Sequence, residues 1–122
     1  MAGDYTKAAV SQRRAKRREA LEAELKRVKE ILSARADIVR GSVLGSFAKG
    51  NNREKSDLDI AVIQRTDKRF LNRIEELYQV ILPRLDMDLL VYTPEEWEAL
   101  RKDRHFVERI EKEGKTIYER SA

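Results

Sequence analysis

Cysteine is absent from the 122 residues, which excludes disulfides and every thiolate metal site. Histidine occurs once, as His105 beside Phe106 in an amphipathic stretch; with no second histidine it reads as a structural or surface residue, not a metal ligand. No apolar run approaches the roughly 20 residues of a membrane span. The first residues lack the apolar segment of a signal peptide, so a cytoplasmic protein without a membrane partner is expected. Proline occurs twice, as Pro83 and Pro94, and glycine five times. No linker long enough to divide the chain follows from so few breakers, and no internal repeat is visible.

Charge, by contrast, is plentiful: 39% of residues are charged and 41% hydrophobic, enough apolar surface for one modest core. Residues 1–40 carry 11 Lys/Arg against 6 Asp/Glu, whereas the remainder carries 15 against 16. The net +4 therefore originates at the front end. A basic arm attracts nucleic acid or an acidic partner without choosing between them. High Lys/Glu content is also compatible with the ion-pair networks of a heat-adapted organism.

Residues 1–7 are expected to fray. Ala8 to Ala36 reads as a helix, rich in Ala, Glu, Lys, Arg and Leu. Leu21, Leu25, Val28 and Leu32, widened by Ile31, form an apolar stripe for packing on a sheet. The earlier half, with Arg13, Arg14, Lys16, Arg17 and Arg18, has no such stripe and reads as a solvated basic helix, with covering a partner as the alternative. Asp37–Leu44 is a short strand interrupted by Gly41. Phe47–Asn52 suits one or two helical turns, and a polar connector leads to a strand over Leu58–Ile63.

Asp67 is the expected N-cap of a helix over Lys68–Leu82, with Phe70, Leu71, Ile74, Leu77, Tyr78 and Ile81 as its buried face. Pro83 ends it and a third strand follows, Leu85–Tyr92. Thr93-Pro94-Glu95-Glu96 is a capped helix start, with Trp97 and Leu100 on the apolar side. Asp103 begins another turn whose Phe106, Val107 and Ile110 face inward. Gly114 stops it, and Ile117-Tyr118 returns to the sheet. Trp97 and Tyr92 read as packing residues, with stacking on a base as the alternative.

The chemistry concentrates in two strands. Asp57 and Asp59 stand two apart at the head of Leu58–Ile63, and Asp86 and Asp88 two apart in the third strand. Strand side chains alternate faces, so each pair shares a face if extended. Carboxylates side by side repel, and a hard cation such as Mg²⁺ removes that cost. If the strands are neighbours, three or four carboxylates converge, a set suited to metal-assisted phosphoryl or nucleotidyl transfer. Gly45 and Ser46 precede them in a bend whose backbone N–H groups could hold phosphates, with Lys49 or Arg53 adding positive charge.

Gly45-Ser46-Phe47-Ala48-Lys49-Gly50 followed by Ser56-Asp57-Leu58-Asp59 resembles the signature of the minimal nucleotidyltransferases of the DNA polymerase beta superfamily. That family's third acid sits in an apolar strand and is followed by aliphatics, which fits Asp88 before Leu89-Leu90-Val91 better than Asp86. The tail from Phe106 to Glu119 looks like the family's closing helix and strand. Two departures stand out: Lys49 where Arg is commoner, and a Gly41-Ser42 that duplicates the motif's opening at too long a spacing.

The resemblance implies an α/β fold: a small mixed, palm-like sheet with helices mainly on one face, and here a long N-terminal helix. Residues 28–122 would form the nucleotidyltransferase domain and 1–27 a basic helical extension. It further implies Asp57, Asp59 and Asp88 as catalytic and Mg²⁺-binding residues, and Gly45, Ser46, Lys49 and Ser56 as the ATP site. Members often pair with a helical HEPN-type toxin, and some neutralise it by moving AMP from ATP onto a tyrosine. A chain this short has little room for its own acceptor, which fits an antitoxin whose acceptor is a partner. The alternatives are a steric, non-catalytic antitoxin and a nucleic-acid-binding module built on the basic helix. Homo-oligomerisation is left open.

Overall fold

The computed structural model describes residues 7–44, 57–106, 108 and 114–120. Their elements run α1 (Lys7–Ser33), β1 (Ile38–Leu44), β2 (Leu58–Gln64), α2 (Phe70–Ile81), β3 (Met87–Tyr92), α3 (Pro94–Leu100) and β4 (Lys115–Glu119). The strands form one sheet in the order β3-β2-β1-β4. β1 pairs antiparallel with β2 and with β4, while β2 and β3 are parallel and joined through α2. This is the expected small mixed sheet, with α1 and α2 on one face.

That face holds the core. Leu58, Ile60 and Val62 of β2 and Met87, Leu89 and Val91 of β3 point into it, meeting Val28 and Leu32 of α1 and Leu77 and Ile81 of α2. Leu21 is buried too, so the stripe read from the sequence does pack on the sheet. Gly41 does not break β1. A Cβ there would stand 2.8 Å from Leu32 Cδ1, so the missing side chain lets α1 approach the strand closely.

A buried ion pair ties α1 to the α2–β3 connection. Glu24, 3% exposed, accepts Arg27 Nε at 2.8 Å, Arg27 Nη2 at 2.9 Å and the Arg84 backbone N–H at 2.7 Å. Arg27 Nη1 also donates to the Ile81 carbonyl at 2.7 Å. The hydrogen bond from Arg27 is the main reason the Glu24 carboxyl is held below its ordinary value.

Several local expectations are corrected. Asp67 does not cap α2: Arg69 occupies that position without a side-chain cap, and Thr66 Oγ1 instead takes the Lys68 N–H at 3.1 Å. The buried face of α2 is Arg73, Leu77 and Ile81, and Leu71 is 75% exposed. Arg73 claims a core position because its guanidinium is satisfied there. It donates to the Lys68 carbonyl at 2.6 Å, to the Val91 carbonyl at 3.3 Å and to Glu96 Oε1 at 2.6 Å. β3 starts at Met87 rather than Leu85, and α1 ends at Ser33 rather than Ala36.

The capped start of α3 is as read. Thr93 Oγ1 accepts the Glu96 N–H at 3.1 Å, and Glu96 Oε1 accepts the Thr93 N–H at 2.9 Å. Asp103 Oδ1 likewise accepts the N–H groups of His105 and Phe106 at 3.0 and 3.3 Å, and β4 carries Ile117 and Tyr118 back to the sheet. The expected turns at Phe47–Asn52 and the side chains of Val107 and Ile110 lie outside the described residues. Among the described residues no helix is long and apolar enough to cross a membrane.

Candidate active site

The acids stand on the sheet face opposite the one that packs on α1 and α2, and the cavity beside them is also lined by Ile74 and Tyr78 of α2. In β2 the alternation that buries Leu58, Ile60 and Val62 turns Asp59 the other way, and in β3 it does the same for Asp88. β2 and β3 are parallel and in register, so Asp59 and Asp88 are direct partners across the ladder. Both line one cavity of ≈ 590 Å³, together with Leu44, Leu90, Tyr92 and Phe106. On its other strand neighbour, Asp59 faces Leu44. β1 therefore ends beside Asp59. Gly45, Ser46, Lys49, Arg53 and Ser56 themselves lie outside the described residues.

Asp57 and Asp86 are placed differently from the expectation that each extends a strand. β2 begins at Leu58, and both the Asp57 and Leu58 N–H groups donate to the Asp86 carbonyl, at 2.9 and 3.0 Å. Asp86, one residue before β3, returns its own N–H to Asp57 Oδ2 at 3.2 Å. Asp86 thus serves through its backbone, bracing the loop that carries Asp57. The other oxygen, Asp57 Oδ1, accepts Arg17 Nη2 at 2.9 Å.

An oxygen-only set of Asp57, Asp59 and Asp88 suits a hard divalent cation chemically. Among the described residues, however, no group of three Asp, Glu, His or Cys side chains is drawn together closely enough to hold a metal ion. The backbone sets Asp59 and Asp88 side by side. Asp57 is the member whose two oxygens are already engaged, by Arg17 and by the Asp86 N–H.

The far end of the cavity is aromatic. Tyr92 stands 5.9 Å from Phe70, 6.0 Å from Trp97 and 6.3 Å from Phe106, ring centre to ring centre. Trp97 is buried as a packing residue, whereas Tyr92 both packs and lines the cavity beside the acids. Tyr78 of α2 also borders it, its hydroxyl donating to the Met87 carbonyl. Burial, and then the negative charge of Asp88, push the Tyr78 phenol up from its ordinary value.

Sequence reading assigned neither Arg17 nor Tyr78 to this region. For Arg17 a signal existed: it lies one helical turn before Leu21, so it continues the stripe Leu21, Leu25, Val28 and Leu32 toward the acid end. For Tyr78 the apolar periodicity hid a hydroxyl that satisfies the sheet's edge.

The fold has a solved counterpart. A Sulfolobus solfataricus protein assigned as a nucleotidyltransferase superposes with a TM-score of 0.60 at 17% identity, covering 88% of this chain and 87% of that one. A toxin–antitoxin solved with AMP-PNP gives a TM-score of 0.49 at 18% identity, over 80% of this chain and 74% of that one. No curated protein matches the chain. Residues 26–122, which contain every acid of the site, match the family described as polymerase beta, nucleotidyltransferase, and the chain belongs to that family.

Proposed function

We propose that this protein is a Mg²⁺-dependent transferase that moves AMP from ATP to a tyrosine hydroxyl of a partner, a small helical HEPN-type toxin, and acts as its antitoxin. The observation that carries the reading is the in-register pairing of Asp59 with Asp88 on the open face of β2 and β3, in a chain of this family. Asp57 immediately precedes β2, and β1 ends at Leu44, opposite Asp59.

Asp57, Asp59 and Asp88 would hold the cation. Bound Mg²⁺ supplies charge for the triphosphate and a lowered pKa for the attacking hydroxyl. Gly45, Ser46, Lys49 and Ser56 would take the phosphates in this reading. The apolar and aromatic side of the cavity, Leu90, Tyr92 and Phe106, suits a phenol ring as acceptor better than a charged one. As the acceptor oxygen bonds to the α-phosphorus, Asp88 takes its proton. The bond from that phosphorus to the bridging oxygen breaks, and pyrophosphate leaves.

The test is incubation with ATP labelled on the α-phosphate, Mg²⁺ and the product of the adjacent gene. Label should appear on a tyrosine of that partner. Substituting Asp57→Asn and Asp59→Asn together should lower transfer by about 10³-fold, the scale of several kcal/mol of lost charge stabilisation, without moving the melting transition. Neutralisation that survives in the double variant would identify a steric antitoxin, and label on nucleic acid would overturn the protein acceptor.

A further inference from the structure

Arg17 belongs to the basic front of α1, yet its Nη2 lies 2.9 Å from Asp57 Oδ1. We propose that Arg17 is a positioning residue of the active site: it occupies the cation's place on Asp57 in the nucleotide-free protein, then yields that oxygen to the metal and pairs with the incoming triphosphate. The proposal deepens the transferase reading above and rests on it.

Three observations carry it. Asp57 Oδ2 is held by the Asp86 backbone N–H, part of the loop that also anchors Asp57 and Leu58 through the Asp86 carbonyl. Oδ1 is therefore the oxygen open to exchange, and Arg17 holds it. Next, Arg17 is placed, not adrift: one turn further along α1, Leu21 is 6% exposed in the core, which fixes the helix face that Arg17 shares. Its own side chain is nonetheless 45% exposed, against 25% for Asp57. A pair this wet is held weakly and exchanges readily.

The charge pattern gives the exchange a direction. Arg13 and Arg14 precede Arg17 by four and three residues, so they stand on the same side of α1. A metal-bound triphosphate approaching Asp57 meets a strip of guanidinium groups that match phosphate oxygens in forked geometry. A dication on Asp57 Oδ1 repels the guanidinium held at the same oxygen. The cation takes the carboxylate, and Arg17 moves to the anion that arrived with it.

Mn²⁺ titration of the full chain without nucleotide, followed by electron paramagnetic resonance, tests this directly. Arg17→Gln should bind Mn²⁺ about two- to five-fold tighter than the parent, the range expected when a half-exposed competing ion pair is removed. Arg17→Lys, which keeps the charge, should stay near the parent. In steady-state transfer, Arg17→Gln should raise KM for metal-bound ATP by about the same factor and leave kcat within about two-fold. Unchanged Mn²⁺ affinity in Arg17→Gln overturns the proposal, as does a fall in kcat at constant KM. If the parent binds Mn²⁺ no better than the Asp57→Asn, Asp59→Asn variant, the metal site itself fails, and with it the transferase reading on which this proposal stands.

Discussion

The two faces of β2 and β3 are made from the same seven and six residues and differ in almost everything else. On one face Leu58, Ile60, Val62, Met87, Leu89 and Val91 are between 0% and 5% exposed against α1 and α2. On the other, Asp59 and Asp88 stand beside one another along a cavity. A single pleat sorts them, since each step along a strand reverses the side. Like charges at adjacent ladder positions disfavour folding, and only the solvent-reached face could carry them. Stability comes chiefly from the closed face; on the other, Ala61 and Ile63 are buried as well, and the two acids are left beside the cavity.

Moving a carboxylate across that divide is the strongest way to break the comparison. Val62 is 0% exposed in the middle of β2. Val62→Asp would bury a charge with no partner, and should cost more than about 4 kcal/mol, enough to abolish a cooperative melt. Asp59→Asn, three positions away on the same strand, should change stability by no more than about 0.5 kcal/mol. Circular dichroism melts of the two variants decide it: a Val62→Asp protein melting within a few degrees of the parent would mean the faces are not segregated as described.

Two charged residues, Glu24 and Arg73, are buried on the closed side among the described residues, and testing Glu24 sharpens the rule. Glu24→Ala would strand the part-buried Arg27 guanidinium and the Arg84 N–H, at a cost of about 3 kcal/mol in urea denaturation. The same group sets a pH dependence. Its folded pKa lies below the unfolded value of 4.5, chiefly through the Arg27 hydrogen bond. The folded state therefore binds fewer protons than the unfolded one in that region. The stabilisation is full above the unfolded value and is lost as pH falls through the folded one. Glu96, lowered mainly by Arg73, and Asp37, where the upward push of burial is outweighed by Arg35 and Gln64 together, act in the same sense. Urea midpoints should decline between about pH 5 and pH 3, and less steeply in Glu24→Gln.

How far these features are legible in the sequence depends on the range of the interaction behind them. The strand pattern of β2, the stripe on α1 and the capping box at Thr93 are local, so spacing alone reveals them. The adjacency of Asp59 and Asp88 is not local. It depends on β2 and β3 pairing in parallel, which the helix between them permits but does not dictate. The Asp67 cap failed because Thr66 closes its own turn first, and Arg73 was missed on the buried face because apolar spacing carries no sign of the three acceptors that satisfy it. Arg17 was hidden by its neighbours: in a run of cations no composition argument singles out the one whose helix phase leads to Asp57.

The smallest expected effect sits where α2 ends on the closed side and the chain turns toward β3. Leu82 caps α2 in the left-handed conformation, φ 47° and ψ 69°, with its N–H donating to the Tyr78 carbonyl at 2.8 Å. A side chain with a β-carbon adopts that conformation at a cost of about 1 kcal/mol. Leu82 is 69% exposed, so little packing repays it. Leu82→Gly removes the strain but makes the unfolded chain more flexible by roughly 0.5 kcal/mol. The net gain should be about 0.5 kcal/mol, near 2 °C in Tm for a chain of this size. Leu82→Val, whose branched β-carbon tolerates the left-handed region less well, should move Tm the other way. If glycine lowers Tm instead, the Leu82 side chain contributes packing that outweighs the strain, and the closed face extends further toward β3 than its exposure implies.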